Sequence, residues 1–229
     1  MKKNPTFLLF SLVLSSFTAL SQPLRNSRVV TGLDIGMGFD QKKLMPSLQF
    51  YQLLKIDKRG IFQAGYHIGF ARFMSQEANL TGKQADTLQM RQTSTMALNF
   101  GLKAQVSLKW VDFGVSADLF GVSFGGQRTG YYLSTKAFNK IDTLNLHRTL
   151  QPAKPSGGNL QLIGKKNALG NLSTDIYARV WLSRQVGLKV GYVFNLTQYR
   201  TDRALLDDQR RFGFESRLIY VGLAFALPN

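Results

Sequence analysis

The sequence predicts an all-β protein, an eight-stranded antiparallel up-and-down transmembrane β-barrel with short periplasmic turns and long extracellular loops. Three observations carry that expectation. The first is strict alternation between Thr95 and Gly121. Met96, Leu98, Phe100, Leu102, Ala104, Val106, Leu108 and Trp110 share one parity, and Ala97, Asn99, Gly101, Lys103, Gln105, Ser107 and Lys109 share the other. A period of two marks a strand with one apolar and one polar face. The second is length, because such runs pass the ~5–6 residues usual in globular strands and reach the ~9–11 that cross a bilayer. The third is the order of connections. After the second, fourth and sixth runs the chain turns within a few residues, whereas the third, fifth and seventh are followed by long loops and only the first of the odd-numbered connections is short. A membrane barrel shows this alternation, with both termini on the periplasmic side.

Taken in order, Met1 to Ser21 reads as a secretory signal. Lys2 and Lys3 form its basic end, Phe7 to Phe17 its apolar run, and Ala19-Leu20-Ser21 a small-residue cleavage region. Residues 22–229 are then the barrel domain. The first strand, about 28–39, sets Val29, Leu33, Ile35, Met37 and Phe39 against Gly32, Asp34, Gly36 and Gly38. The second, about 45–56, sets Leu48, Phe50, Leu54 and Ile56 against Gln49, Tyr51 and Lys55, with Gln52 interrupting the apolar row. The third, about 61–73, opposes Phe62, Tyr66, Ile68 and Phe70 to Gln63, His67 and Gly69, and a polar loop over 75–92 follows. After the fourth strand the fifth opposes Val111, Phe113, Val115, Ala117 and Leu119 to Asp112, Gly114, Ser116 and Asp118.

The longest gap, 125–170, is rich in Gly, Pro, Asn and Lys, and a hairpin over 144–163 would set Leu144, Leu146 and Leu150 against Leu160 and Leu162 across Pro152–Gly158. The sixth strand, about 172–182, points Asp175, Tyr177 and Arg179 inward, and the seventh, about 186–198, points Gly187, Lys189 and Asn195 inward. A charged loop spans 200–210. In the eighth strand, about 212–227, Phe212 and Phe214 suit one parity and Ile219, Val221, Leu223 and Phe225 the other, so a bulge near Glu215–Leu218 is expected.

Composition narrows the function. The 229 residues contain no cysteine, which excludes disulfides, thiolate metal sites, a cysteine nucleophile and a lipoprotein anchor. After removal of Lys2 and Lys3, 27 of the 29 basic residues face 13 acidic ones, a charge of +14. The polar rows place Asp34, Lys55, His67, Lys103, Asp112, Asp118, Asp175, Arg179 and Lys189 in the lumen. An eight-stranded barrel is just wide enough for side chains to fill it, so these charges are expected to pair and hold it shut, or else to line a narrow ion path.

A hydrolytic site would need a serine beside His67, with Ser107 or Ser116 within reach only across strands. No metal-ligand spacing, phosphate loop or acidic pair is present, and no cofactor, metal or catalytic residue is expected. The loop residues Arg128, Lys136, Lys140, Arg148, Lys154, Lys165 and Lys166 face Asp142 alone and would meet the phosphates of lipopolysaccharide. Nucleic acid is not an expected partner, since Tyr131 and Tyr132 alone make no stacking platform.

The signal segment, the eight strands, the loop asymmetry and the aromatic-bearing last strand together resemble the small outer-membrane β-barrel proteins of Gram-negative bacteria. The cleavage region Leu20-Ser21-Gln22 and the ending Tyr220-Val221-Gly222-Leu223-Ala224-Phe225 look like the "porin family" barrels of Bacteroidota. The resemblance implies integral placement in the cell outer membrane, assembly by the barrel-insertion machinery with Phe225 as the aromatic signal, and contact with outer-membrane lipid. A pore does not follow from the family name. The expected role is that of a monomeric, non-enzymatic envelope or surface-interaction protein presenting loops 75–92, 125–170 and 200–210; a narrow channel for small solutes or ions and a lipid-modifying enzyme are the alternatives.

Overall fold

The computed structural model describes residues 28–82, 85–135, 146–161 and 168–228. The signal segment 1–21 and Lys136, Lys140, Asp142, Lys165 and Lys166 lie outside the described residues. Eleven strands form one antiparallel sheet: β1 (Val29–Asp40), β2 (Lys43–Lys55), β3 (Phe62–Thr81), β4 (Thr87–Leu108), β5 (Val111–Phe124), β6 (Arg128–Leu133), β7 (Thr149–Pro155), β8 (Gly158–Leu160), β9 (Leu172–Trp181), β10 (Val186–Thr201) and β11 (Arg211–Leu227). Eight of them close a ring in the order β1-β2-β3-β4-β5-β9-β10-β11. The seam is β1 on β11, from Thr31 opposite Leu227 to Phe39 opposite Ile219.

The ring strands form where period-2 alternation is unbroken. Their outward row is apolar and exposed on every strand, as at Ile35, Leu48, Phe70, Leu102, Phe113, Ile176, Val190 and Ile219. Gln52, with Thr31 across from it, interrupts the row low on the wall, and Thr174 and Arg217 flank Phe194 higher up. Gln52 Oε1 accepts the Tyr66 hydroxyl at 2.5 Å, so its polarity is satisfied within the wall. In β5 a bulge at Leu119 shifts the register between Phe100 and Gly101, and the row passes to Phe120, Val122 and Phe124. Leu119 is therefore half-buried rather than fully outward, with its carbonyl taken by the Gln161 amide at 2.7 Å.

Above this ring stands a second tier that the alternation does not announce. Strands β3 and β4 run for 20 and 22 residues, so the expected loop 75–92 is mostly hairpin with only 82–86 between the strands. β6 pairs the upper end of β4, β7 pairs β6 and the upper end of β10, and Gly213 of β11 meets Thr81 of β3. The upper ring thus has six strands, β3-β4-β6-β7-β10-β11. The hairpin expected within 144–163 is replaced by β7 on β6, while β8 lies along β5.

Polarity inverts between the tiers. In the upper ring Leu80, Leu88, Met90, Tyr132, Ala153, Tyr199 and Phe212 point inward and form one apolar core with Leu146 and Leu205. Arg91, Arg200 and Arg211 are exposed on the wall. The inversion accounts for the last strand. β10 and β11 pair without interruption from Val186–Phe225 to Arg200–Arg211, so the bulge expected near Glu215–Leu218 does not exist. Phe212 and Phe214 face inward because the interior there is apolar, and Phe214 packs on Phe73 with ring centroids 5.6 Å apart.

Candidate functional site

The lower lumen is built around Asp34. On β1 its inward neighbours are Gly32 and Gly36, and a Cβ at either would collide with the ring of Tyr51 or Tyr220. The missing side chains let these two rings lie close to the β1 backbone, beside the charges. Three cations converge on the one carboxylate: Lys103 Nζ at 2.9 Å, Arg179 Nη2 at 3.0 Å and Lys189 Nζ at 3.1 Å, from β4, β9 and β10. Asp112 takes Arg179 at 3.2 Å and the Trp181 indole N–H at 2.8 Å. Asp175 takes Lys189 at 2.8 Å and also accepts the Ser116 hydroxyl.

The cations are further held by aromatic faces. Lys103 lies 4.1 Å from the Tyr51 centroid, Lys189 lies 4.3 Å from Tyr177, and Arg179 lies 5.2 Å from Trp181. An isolated buried charge is costly, and a buried pair is tolerable only when its remaining hydrogen-bonding capacity is met. Three acids and three bases, all nine-tenths or more buried, meet most of that condition together, with Arg179 Nε left without a partner.

A second layer lies nearer the upper tier. Asp118 interacts with His67 Nε2 at 3.0 Å and accepts Asn99 Nδ2 at 2.7 Å and both the amide and the hydroxyl of Ser173 at 2.8 Å. Asn99 Oδ1 accepts Asn159 Nδ2 at 2.7 Å, and Asn171 Nδ2 donates to Ser123 Oγ at 2.7 Å. These contacts draw the long connection into the mouth of the lower ring. Asn159 and Asn171 were invisible to sequence reasoning, because a loop asparagine carries no periodic signal. Asn99 stood on the polar row but was not singled out. Between the two layers lies a cavity of about 50 Å³ lined on one side by Gln49, Asn99, Ser116, Asp118, Asp175 and Lys189 and on the other by Met45, Leu48, Phe70 and Val193. That is room for ordered water, which needs about 10–15 Å³ of such volume.

The inward rows thus bring together eight of the nine expected lumen residues in two layers: Asp34, Lys103, Asp112, Asp175, Arg179 and Lys189, then His67 and Asp118. Lys55 stands apart, half-exposed at the β2–β3 turn with its methylenes over Gly60. His67 is oriented by Asp118, and neither serine considered for it is a partner. Ser107 accepts from Gln63 and Gln105, while Ser116 donates to Asp175. The described part of the cationic segment is not one loop. Arg128 opens β6, Lys154 sits in β7 opposite Arg200, and Arg148 holds a left-handed turn with its amide on the Tyr132 carbonyl at 2.8 Å.

Taken together, the ring, its apolar exterior and its charge-paired interior define a closed, filled eight-stranded antiparallel barrel. Among solved structures the chain is similar to Neisserial surface protein A, with 10% sequence identity and a TM-score of 0.37, covering 86% of this chain and 94% of that one. At that TM-score the likeness carries no statement about function. No family model and no curated protein matches the chain.

Proposed function

We propose that this protein is an outer-membrane barrel, closed to solutes, that holds the six-stranded upper tier outside the bilayer as a rigid, non-enzymatic interaction surface. The observation that carries the reading is the inversion of polarity along the axis. Soluble monomers rarely expose an apolar patch beyond ~300–600 Å², and here the apolar row runs round all eight strands of the lower ring. One protein partner cannot encircle a barrel, but lipid can. A closed barrel is also one of the two structures that satisfy every backbone group in hydrocarbon. The upper tier, wet outside and apolar inside, belongs in water. Export by the segment 1–21, assembly by the barrel-insertion machinery and a monomeric state are parts of the same proposal.

Outer-membrane fractionation, with gels of heated and unheated sample, tests this. A band in that fraction whose migration changes only on boiling is expected; a soluble protein with no heat shift would sink the reading. A channel and a lipid-modifying enzyme are the competing functions. With six charges paired across the lumen and an apolar core above them, planar-bilayer recordings are expected to show no discrete openings. Openings abolished by Lys103→Met or Arg179→Met would instead establish a channel.

A further inference from the structure

The outer wall of the upper tier carries an open groove of about 1060 Å³ across β3, β4, β6 and β7, just above the ~300–1,000 Å³ range of ligand clefts. Arg91 of β4 and Arg128 of β6 line it, with the amides of Gln89 and Gln92 and the apolar side chains of Tyr131 and Leu150. Among the described residues neither guanidinium has an ion pair or a side-chain hydrogen bond, and Nε of Arg128 is buried without a partner.

Nearby acids are committed elsewhere. Glu77, on the same groove, binds Lys42 at 2.7 Å, and that hydrogen bond and charge hold its carboxyl below the ordinary value. Asp86 accepts the Tyr132 hydroxyl and the Thr135 amide, and Asp202 accepts Gln127. The groove therefore carries two guanidinium groups without an ion pair, beside one carboxylate, Glu77, that Lys42 engages.

Its height matters as well. Arg91 stands five residues up β4 from Met96, the upper end of the apolar row. At ~3.3 Å per residue and ~45° of tilt that is about 12 Å above the hydrocarbon edge. Headgroup sugars and their phosphates occupy that level, and acyl chains do not. We propose that this groove binds the phosphorylated saccharide headgroup of an outer-leaflet glycolipid, with Arg91 and Arg128 on phosphate. The glutamine amides suit sugar hydroxyls, and the planar fork of arginine matches phosphate oxygens in pairs. The inference rests on the membrane reading above.

The test uses the full chain in detergent, with lipopolysaccharide and its dephosphorylated form as probes. The Arg91→Gln/Arg128→Gln variant is compared with Arg59→Gln/Arg184→Gln, which removes the same charge from exposed turns at the opposite rim. The groove variant is expected to bind about tenfold or more weakly, the worth of one charge-assisted hydrogen bond. The control should stay within about twofold, since it alters only net charge. Arg91→Gln alone, at an exposed position, serves if the double variant does not fold. Equal losses in both variants, equal affinity for dephosphorylated lipid, or equal competition by inorganic phosphate would overturn the groove proposal. In each of those cases the heat shift of the wild type would leave the membrane reading standing; its absence would bring down both.

Discussion

Asp34→Asn is expected to destabilise the folded barrel by about 3–5 kcal/mol, the cost of removing one partner from a buried ionic network. The amide keeps the shape and an oxygen acceptor but removes the charge that faces Lys103, Arg179 and Lys189. Three buried cations would then face only Asp112 and Asp175. The measurement is the urea midpoint of lipid-refolded protein, followed by the heat-dependent gel shift. Adding Lys103→Met should recover much of the loss, because the carboxylate that Lys103 pairs with is Asp34 itself. Strongly coupled residues give non-additive double variants. A double variant as unstable as the sum of its parts would show that the charges do not act as one network.

Val190→Arg is expected to cost about 2–4 kcal/mol, as for a basic residue at the bilayer midplane of a barrel. Val190 points outward from the middle of β10, between Ala178 and Val221 on the neighbouring strands, and is 43% exposed. On a water-facing wall the same change at so exposed a position would lie within about 0.5 kcal/mol of neutral. Gln76→Arg, outward on β3 in the upper tier, is the matched control and should leave refolding into vesicles unchanged. Equal behaviour of the two variants would mean that the lower wall does not face lipid.

The ring strands were legible because a strand's side chains alternate whatever the strand pairs with. Parity alone put Asp34, His67, Lys103, Asp112, Asp118, Asp175, Arg179 and Lys189 on the row opposite the bulky residues. It could not say that Lys103, Arg179 and Lys189 meet on Asp34. Those contacts join residues 69, 145 and 155 positions apart in the chain, and they depend on closure of β1 against β11 and on the glycines that admit Tyr51 and Tyr220.

The upper tier was misread as loops because its alternation has the opposite sense. Glu77, with a positive φ, and Arg91 across from it are both outward-facing where the inward row changes parity, and beyond them Leu80, Leu88 and Met90 point inward. The same inward sense in β11 made Phe212 and Phe214 look out of phase when the strand is regular. Alternation, by itself, determined which residues share a face along each strand. Only the closed tertiary structure decided which face is the inside, because that depends on what surrounds the wall at each height, and no local pattern of residues records it.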